Sequence, residues 1–188
     1  MTGPQFFQGL FEIAHEVSAV VPPRSAEKVY LHLLSEIGEL GEEASIAAGE
    51  LYKSPGADGV VGEAADVVNC LADLVWMQCR TLPSAGLAHS CEQISGWVGI
   101  ADFDDHPAMP FATAKQRFAR ESSDLRNIFS MAEDRPGAMS SDQTHAAARL
   151  LRCVLELAKA CDPDLTAKRF TAIYAEKCSK WRRKATAA

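Results

Sequence analysis

Two pairs of acidic residues at helical spacing, Glu36/Glu39 and Glu63/Asp66, are the residues most able to do chemistry in this chain. On a helix each side chain is turned about 100° from the one before it. Leu33, Ile37, Leu40, Ala44 and Ala47 therefore fall on one apolar arc, with Glu36, Glu39 and Glu43 on the arc beside it and Glu42 on the far side. The next helical stretch repeats the arrangement. Val60, Val67, Leu71 and Leu74 form the apolar arc, Glu63 and Asp66 occupy its edge, and Cys70 follows one turn on. If the two helices pack antiparallel across their short connection, the acid pairs face each other over a partly buried seam. Four carboxylates in such a seam repel one another and resist losing water. A divalent cation removes the conflict. Oxygen-only ligands suit Mg²⁺ or Mn²⁺, and Mg²⁺ characteristically keeps waters and accepts substrate phosphates as further ligands. The plainer alternative is that both pairs belong to ordinary solvated helix faces.

The string Ser35-Glu36-Ile37-Gly38-Glu39-Leu40, followed by Gly62-Glu63-Ala64-Ala65-Asp66-Val67, resembles the E-x-x-E … E-x-x-D signature of MazG-like, all-α nucleoside triphosphate pyrophosphohydrolases. Pro23-Arg24-Ser25 and Leu33-Leu34 are similar to the lead-in of that family. The resemblance covers residues 23–76, under a third of the chain. It implies an Mg²⁺ enzyme that cleaves a (deoxy)nucleoside triphosphate between the α and β phosphorus, with Glu36, Glu39, Glu63 and Asp66 as metal ligands. A metal-activated water would attack phosphorus, and Glu36, Glu39 and Glu43 are the candidates to accept its proton. The chain departs from the family pattern downstream. Members carry a helix with a phosphate-contacting Lys, yet residues 86–100 contain no Lys or Arg. Lys177, Lys180 and Arg183 are the substitute candidates for phosphate contact, against the simpler role of cations at the negative end of a terminal helix. Asn69, one turn past Asp66, is a candidate for sugar or base contact.

The elements that position these residues read as helices throughout, so the expected class is an all-α bundle. Helices are expected near 4–20, 25–52, 60–80, 85–99, 111–132, 140–161 and 164–184. Val21-Pro22-Pro23 stops the first, and Ser25 caps the second. Ser140-Ser141-Asp142 and Asp162-Pro163-Asp164 offer caps for the last two. The Gly-rich stretch 53–62 is a loop without the spacing of a phosphate-gripping P-loop. Asp102-Phe103-Asp104-Asp105-His106-Pro107 is the clearest linker and is expected to be a solvated loop. It separates a unit 1–105 carrying the metal site from a unit 106–188 that reads as a degenerate second copy. Glu121/Asp124 line up with Glu36/Glu39, whereas Ala146 and Arg149 stand where Glu63 and Asp66 would be. The fold expected is then a fused tandem pseudo-dimer, in which Arg149 is a further candidate for substrate contact. Chance alignment of amphipathic helices is the competing explanation.

The chain has 188 residues, 47% hydrophobic and 23% charged, with a net charge of −6. That charge argues against a polyanion binder, because phosphate-backbone affinity comes from Lys and Arg. No apolar run is long enough to span a membrane and no secretory leader is visible. Six cysteines without a C-x-x-C pair give no support for zinc, and reduced thiols in a cytoplasmic setting are expected. Glu12-Ile13-Ala14-His15 has the spacing of a di-iron ligand pair but lacks the second copy such sites need. His32 is expected as a boundary residue beside the acids, and Trp76, Trp97, Trp181 and Phe103 are the aromatic side chains able to stack on a base. The expected function is Mg²⁺-dependent hydrolysis of a nucleotide to monophosphate and pyrophosphate. The rivals are a catalytically inactive helical nucleotide-binding or regulatory protein and, more weakly, a metal-storing bundle. Monomer and homodimer both fit the sequence.

Overall fold

A computed structural model describes residues 2–22, 24–133 and 135–186; Pro23, part of the expected helix stop and lead-in, lies outside them. The chain is all-α. Its helices are α1 (Gly3–Ser18), α2 (Ala26–Ala47), α3 (Gly59–Cys79), α4 (Ser84–Val98), α5 (Phe111–Ser123), α6 (Arg126–Glu133), α7 (Ser141–Cys161) and α8 (Ala167–Thr186). No strand occurs among the described residues; Thr2 and Asp102 form an isolated antiparallel bridge. No helix among them is long and apolar enough to cross a membrane.

Helices α3 and α7 are the inner pair: α3 is apolar nearly all round, and α7 buries Gln143, Thr144, Glu156 and Lys159 along with its apolar residues. The remaining helices lay one apolar stripe each against them. The core is a single cluster that joins α1 to α8 and α3 to α7, so residues of 1–105 and 106–188 share it. Phe6, Phe103 and Phe170 show this directly: their ring centroids lie 4.9 to 6.4 Å apart, although they come from α1, the linker and α8.

The linker is partly solvated as expected, with Asp104, Asp105 and Pro107 exposed, but it is also pinned, with Phe103 buried. Buried Lys159 donates to the Phe103 and Asp104 carbonyls, and its ammonium lies 4.8 Å from the Phe103 ring. Asp104 Oδ1 accepts from the Ala167 N–H at 2.6 Å, which caps α8. His106 stands 3.6 Å from Glu156, a buried carboxylate also paired with Arg117 and Arg152 at 2.8 Å each. Burial of the linker's carbonyls and of Lys159 obliges each to find a partner, and each finds the other.

Three expected helix boundaries move for identifiable reasons. Helix α2 ends at Ala47 instead of Tyr52, because Gly49 (φ 72°) closes it: Gly49 N–H donates to Ile46 O and Glu50 N–H to Ser45 O, a Schellman pair. The expected helix 111–132 is two helices. Ser122 and Ser123 turn their hydroxyls back onto the Ala119 and Arg120 carbonyls, and Asp124 (φ −113°, ψ 74°) leaves the helical region. Helix α8 starts at Ala167, capped by Thr166 and Asp104; Asp162, expected to help cap it, pairs with Arg169 at 2.7 Å. Ser25 and Ser140 do cap their helices, each accepting the third backbone N–H at 3.2 Å.

Candidate metal centre

Helices α2 and α3 form an antiparallel pair, as the contacts along them show in order. Glu43 meets Gly56, Glu36 and Glu39 meet Glu63, and Arg24, just ahead of α2, meets Asp73. This register brings the two acid pairs to one side of the helix pair. Donor oxygens of Glu36, Glu39 and Glu63 all lie within 4.8 Å of one another, and the same holds for Asp58, Glu63 and Asp66. Glu63 belongs to both triads. Of the expected apolar arc on α2, Leu33, Leu40 and Ala44 are buried, Ile37 is half-buried and Ala47 is exposed, because the helix ends there.

The electrostatics follow from this crowding. Burial, then repulsion from Asp66, Glu39 and Glu63, pushes the Glu36 carboxyl up to about 7 despite the opposing pull of Lys177. Burial also raises Glu63 and Asp66. A hydrogen bond from Lys177 holds Asp58 below its ordinary value. Burial acts to lower the Lys177 pKa, but its bonds to Asp58 and Asp66 outweigh that and raise it.

Glu36 has a folded-state pKa above its ordinary value of 4.5, so folding favours its protonated form. That contribution is complete below about pH 4.5 and is lost as pH rises through 7. Metal-free protein is therefore expected to melt at a lower temperature at pH 8 than at pH 6. Glu36→Gln should flatten the difference, and saturating Mg²⁺ should restore most of the loss at pH 8. Fluorimetric melting of both proteins checks this; a wild-type slope that survives in Glu36→Gln assigns the pH response elsewhere.

The seam opens into a cavity of about 600 Å³ between α2, α3 and α8. One wall carries Glu36, Glu39, Glu63, Asp66 and Asp58. The opposite side carries Lys177, Lys180, Trp181 and Lys184 from α8, while Arg24, Lys28 and His32 line the α2 end. The α8 residues stand at i, i+3, i+4 and i+7, so they share one face. Arg183, at i+6, is turned about 120° from Lys177, beyond Lys180; it is exposed and does not line the cavity. At the far end Asp73 is buried, accepting from Ser18 Oγ at 2.6 Å and Arg24 Nε at 2.9 Å. The Arg24 guanidinium lies 4.9 Å from the Trp181 ring and 5.9 Å from Trp76.

The cavity gathers most of the residues singled out from sequence. Asn69 lines it, nearly fully buried, with its carbonyl oxygen accepting from Cys178 Sγ at 3.2 Å. Glu43 is not brought there: its carboxylate accepts the Gly56 N–H at 2.7 Å and fastens the 53–58 loop instead. Arg149 is likewise elsewhere, 3.5 Å from Glu121 on the α5–α7 pair. Phe103 is fully buried, and Trp97 is exposed with its edge on His145. His15 is half-buried, its Nε2 3.2 Å from the Ala72 carbonyl, and burial lowers its pKa to about 4. All six cysteines are free.

Sequence reasoning missed Asp58, Asp73, Lys28 and Lys184. Asp73 carried a signal, since it lies seven residues past Asp66 and so on the same helical stripe. Asp58, in the loop end before α3, carried none. No family model, curated protein or solved structure matches this chain.

Proposed function

We propose that the protein is a divalent-metal-dependent hydrolase that cleaves a nucleoside triphosphate to monophosphate and pyrophosphate. One observation carries the reading. Carboxylates from two antiparallel helices converge within a few ångströms on one wall of a cavity whose facing wall is cationic and aromatic. A triphosphate-sized polyanion needs a hard counter-ion and fixed cations together, and a cavity of about 600 Å³ is within the roughly 300–1,000 Å³ that small-molecule sites occupy.

The donor set fits Mg²⁺ or Mn²⁺, being carboxylate oxygen throughout. Glu36, Glu39 and Glu63 would hold the ion, with Asp66 at the edge of the set. When bound, it supplies charge neutralisation at the phosphate oxygens and an acidified water. The chain's own residues do the rest. Lys180, Lys184 and Lys28 draw the phosphates in and orient them; Trp181 offers a stacking face and Asn69 an amide to the nucleoside end. The proton from the attacking water passes to a seam carboxylate. Glu43 has no part in this, since Gly56 holds it outside the cavity.

Purified protein with Mg²⁺ and a panel of ribo- and deoxyribonucleoside triphosphates tests the reading by product identity. Pyrophosphate with the monophosphate is the expected result. Orthophosphate release overturns the proposed bond. A silent panel with metal-dependent nucleotide binding selects the inactive binding protein.

A further inference from the structure

The carboxylate seam is not symmetric, and the asymmetry lies in where a cation already sits. The two triads share Glu63, and their composition is otherwise alike: three acidic oxygens within 4.8 Å. Yet only one is neutralised by the chain itself. The Lys177 ammonium reaches across from α8, donating to Asp58 Oδ2 at 2.8 Å and to Asp66. Its side chain is only 10% exposed, so the charge is delivered into the seam and not left at the rim. The Glu36/Glu39/Glu63 triad has no such partner: Ser35 donates to Glu39 at 3.2 Å, and no Lys or Arg is ion-paired with these three acids among the described residues.

From this we infer that Lys177 stands in place of a second metal ion: the seam takes one divalent cation, at Glu36/Glu39/Glu63, and the Asp58/Glu63/Asp66 triad is kept for the ammonium. The inference rests on the metal reading given above and sharpens it to a stoichiometry. The physical argument is exclusion. Two dications seated on triads that share Glu63 would lie a few ångströms apart and repel strongly. A fixed monovalent cation lowers that repulsion while still balancing Asp58 and Asp66. An ammonium has three N–H groups and two are used here, so the third remains for a phosphate oxygen in the cavity that Lys177 lines. Asp58 is then a positioning residue. It lies outside the E-x-x-E and E-x-x-D pairs and keeps Lys177 in the seam.

Titration of the full chain with Mn²⁺ alone, followed by calorimetry, tests the inference without any catalytic readout. Wild type is expected to bind one ion per chain. Lys177→Met removes the charge and keeps the length, and is expected to bind two. Lys177→Arg keeps the charge and is expected to return to one, which also controls for disturbed folding. Two ions on wild type, or one ion of unchanged affinity on Lys177→Met, overturns the inference. No ion on wild type, Lys177→Met or Lys177→Arg overturns the metal reading itself and the inference with it.

Discussion

Glu63→Gln is expected to reduce pyrophosphate release by about two to three orders of magnitude while making the metal-free protein more stable. Glu63 is the side chain common to both carboxylate triads, so no other substitution in the seam removes a donor from each. Losing several kcal/mol of metal-based charge stabilisation, at 1.36 kcal/mol per factor of ten, corresponds to a loss of about that size. The gain in stability has the same origin. Burial and neighbouring charge raise the Glu63 pKa, so the ionised group is unfavourable in the fold until a cation arrives. Gln keeps the volume and removes the charge. A rise in melting temperature of about 2–4 °C would correspond to roughly 1 kcal/mol in a chain of this size. The Mg²⁺-induced rise of the wild type should shrink at the same time. Opposite movements of activity and stability are the signature of a site that carries strain for its function. A variant that loses activity and stability together would show Glu63 to be structural, and one that keeps full activity would remove the seam from the chemistry.

Asp73→Ala is expected to be the most damaging substitution for the fold among residues near the cavity. Asp73 is 3% exposed and Ser18 1% exposed, and the Arg24 side chain is 13% exposed. The carboxylate satisfies both partners, with Ser18 Oγ at 2.6 Å and Arg24 Nε at 2.9 Å, while a second guanidinium nitrogen also donates to it. Removing one partner of a buried pair leaves the other charge desolvated, a loss of about 3–5 kcal/mol. For this length that is a fall in melting temperature on the order of 10 °C. Asp73→Asn keeps the shape and one acceptor and should lose clearly less. The effect should reach the cavity, because Arg24 is the side chain between Trp76 and Trp181 and so links the start of α2 to α3 and α8. Urea unfolding of both variants measures the difference. A loss under about 1 kcal/mol for Asp73→Ala would mean that Arg24 reaches solvent at little cost.

What was legible in the sequence is what local periodicity encodes. The helical class, the caps at Ser25 and Ser140, and the placing of Glu36, Glu39, Glu63 and Asp66 beside apolar arcs all follow from a 3.6-residue repeat, and the structure brings the four acids into one seam. The α8 contribution was half legible. Lys177 and Lys180 share a face with Trp181 and Lys184, whereas Arg183, chosen for its charge alone, is turned off it. Composition read half of the 102–107 linker: Asp104 and Asp105 are exposed as expected, but Asp104 also caps a helix more than 60 residues away.

By itself, then, the sequence determined which side chains share a helix face, since that depends only on the turn per residue. Only the tertiary structure decided which faces meet. The contacts of Asp58 with Lys177, 119 positions apart, and of Arg24 with Asp73, 49 apart, and the loop contact that takes Glu43 away from the seam are long-range pairings. Helical repeats carry no information about such pairings, because they are set by how the whole chain buries its apolar surface in one core.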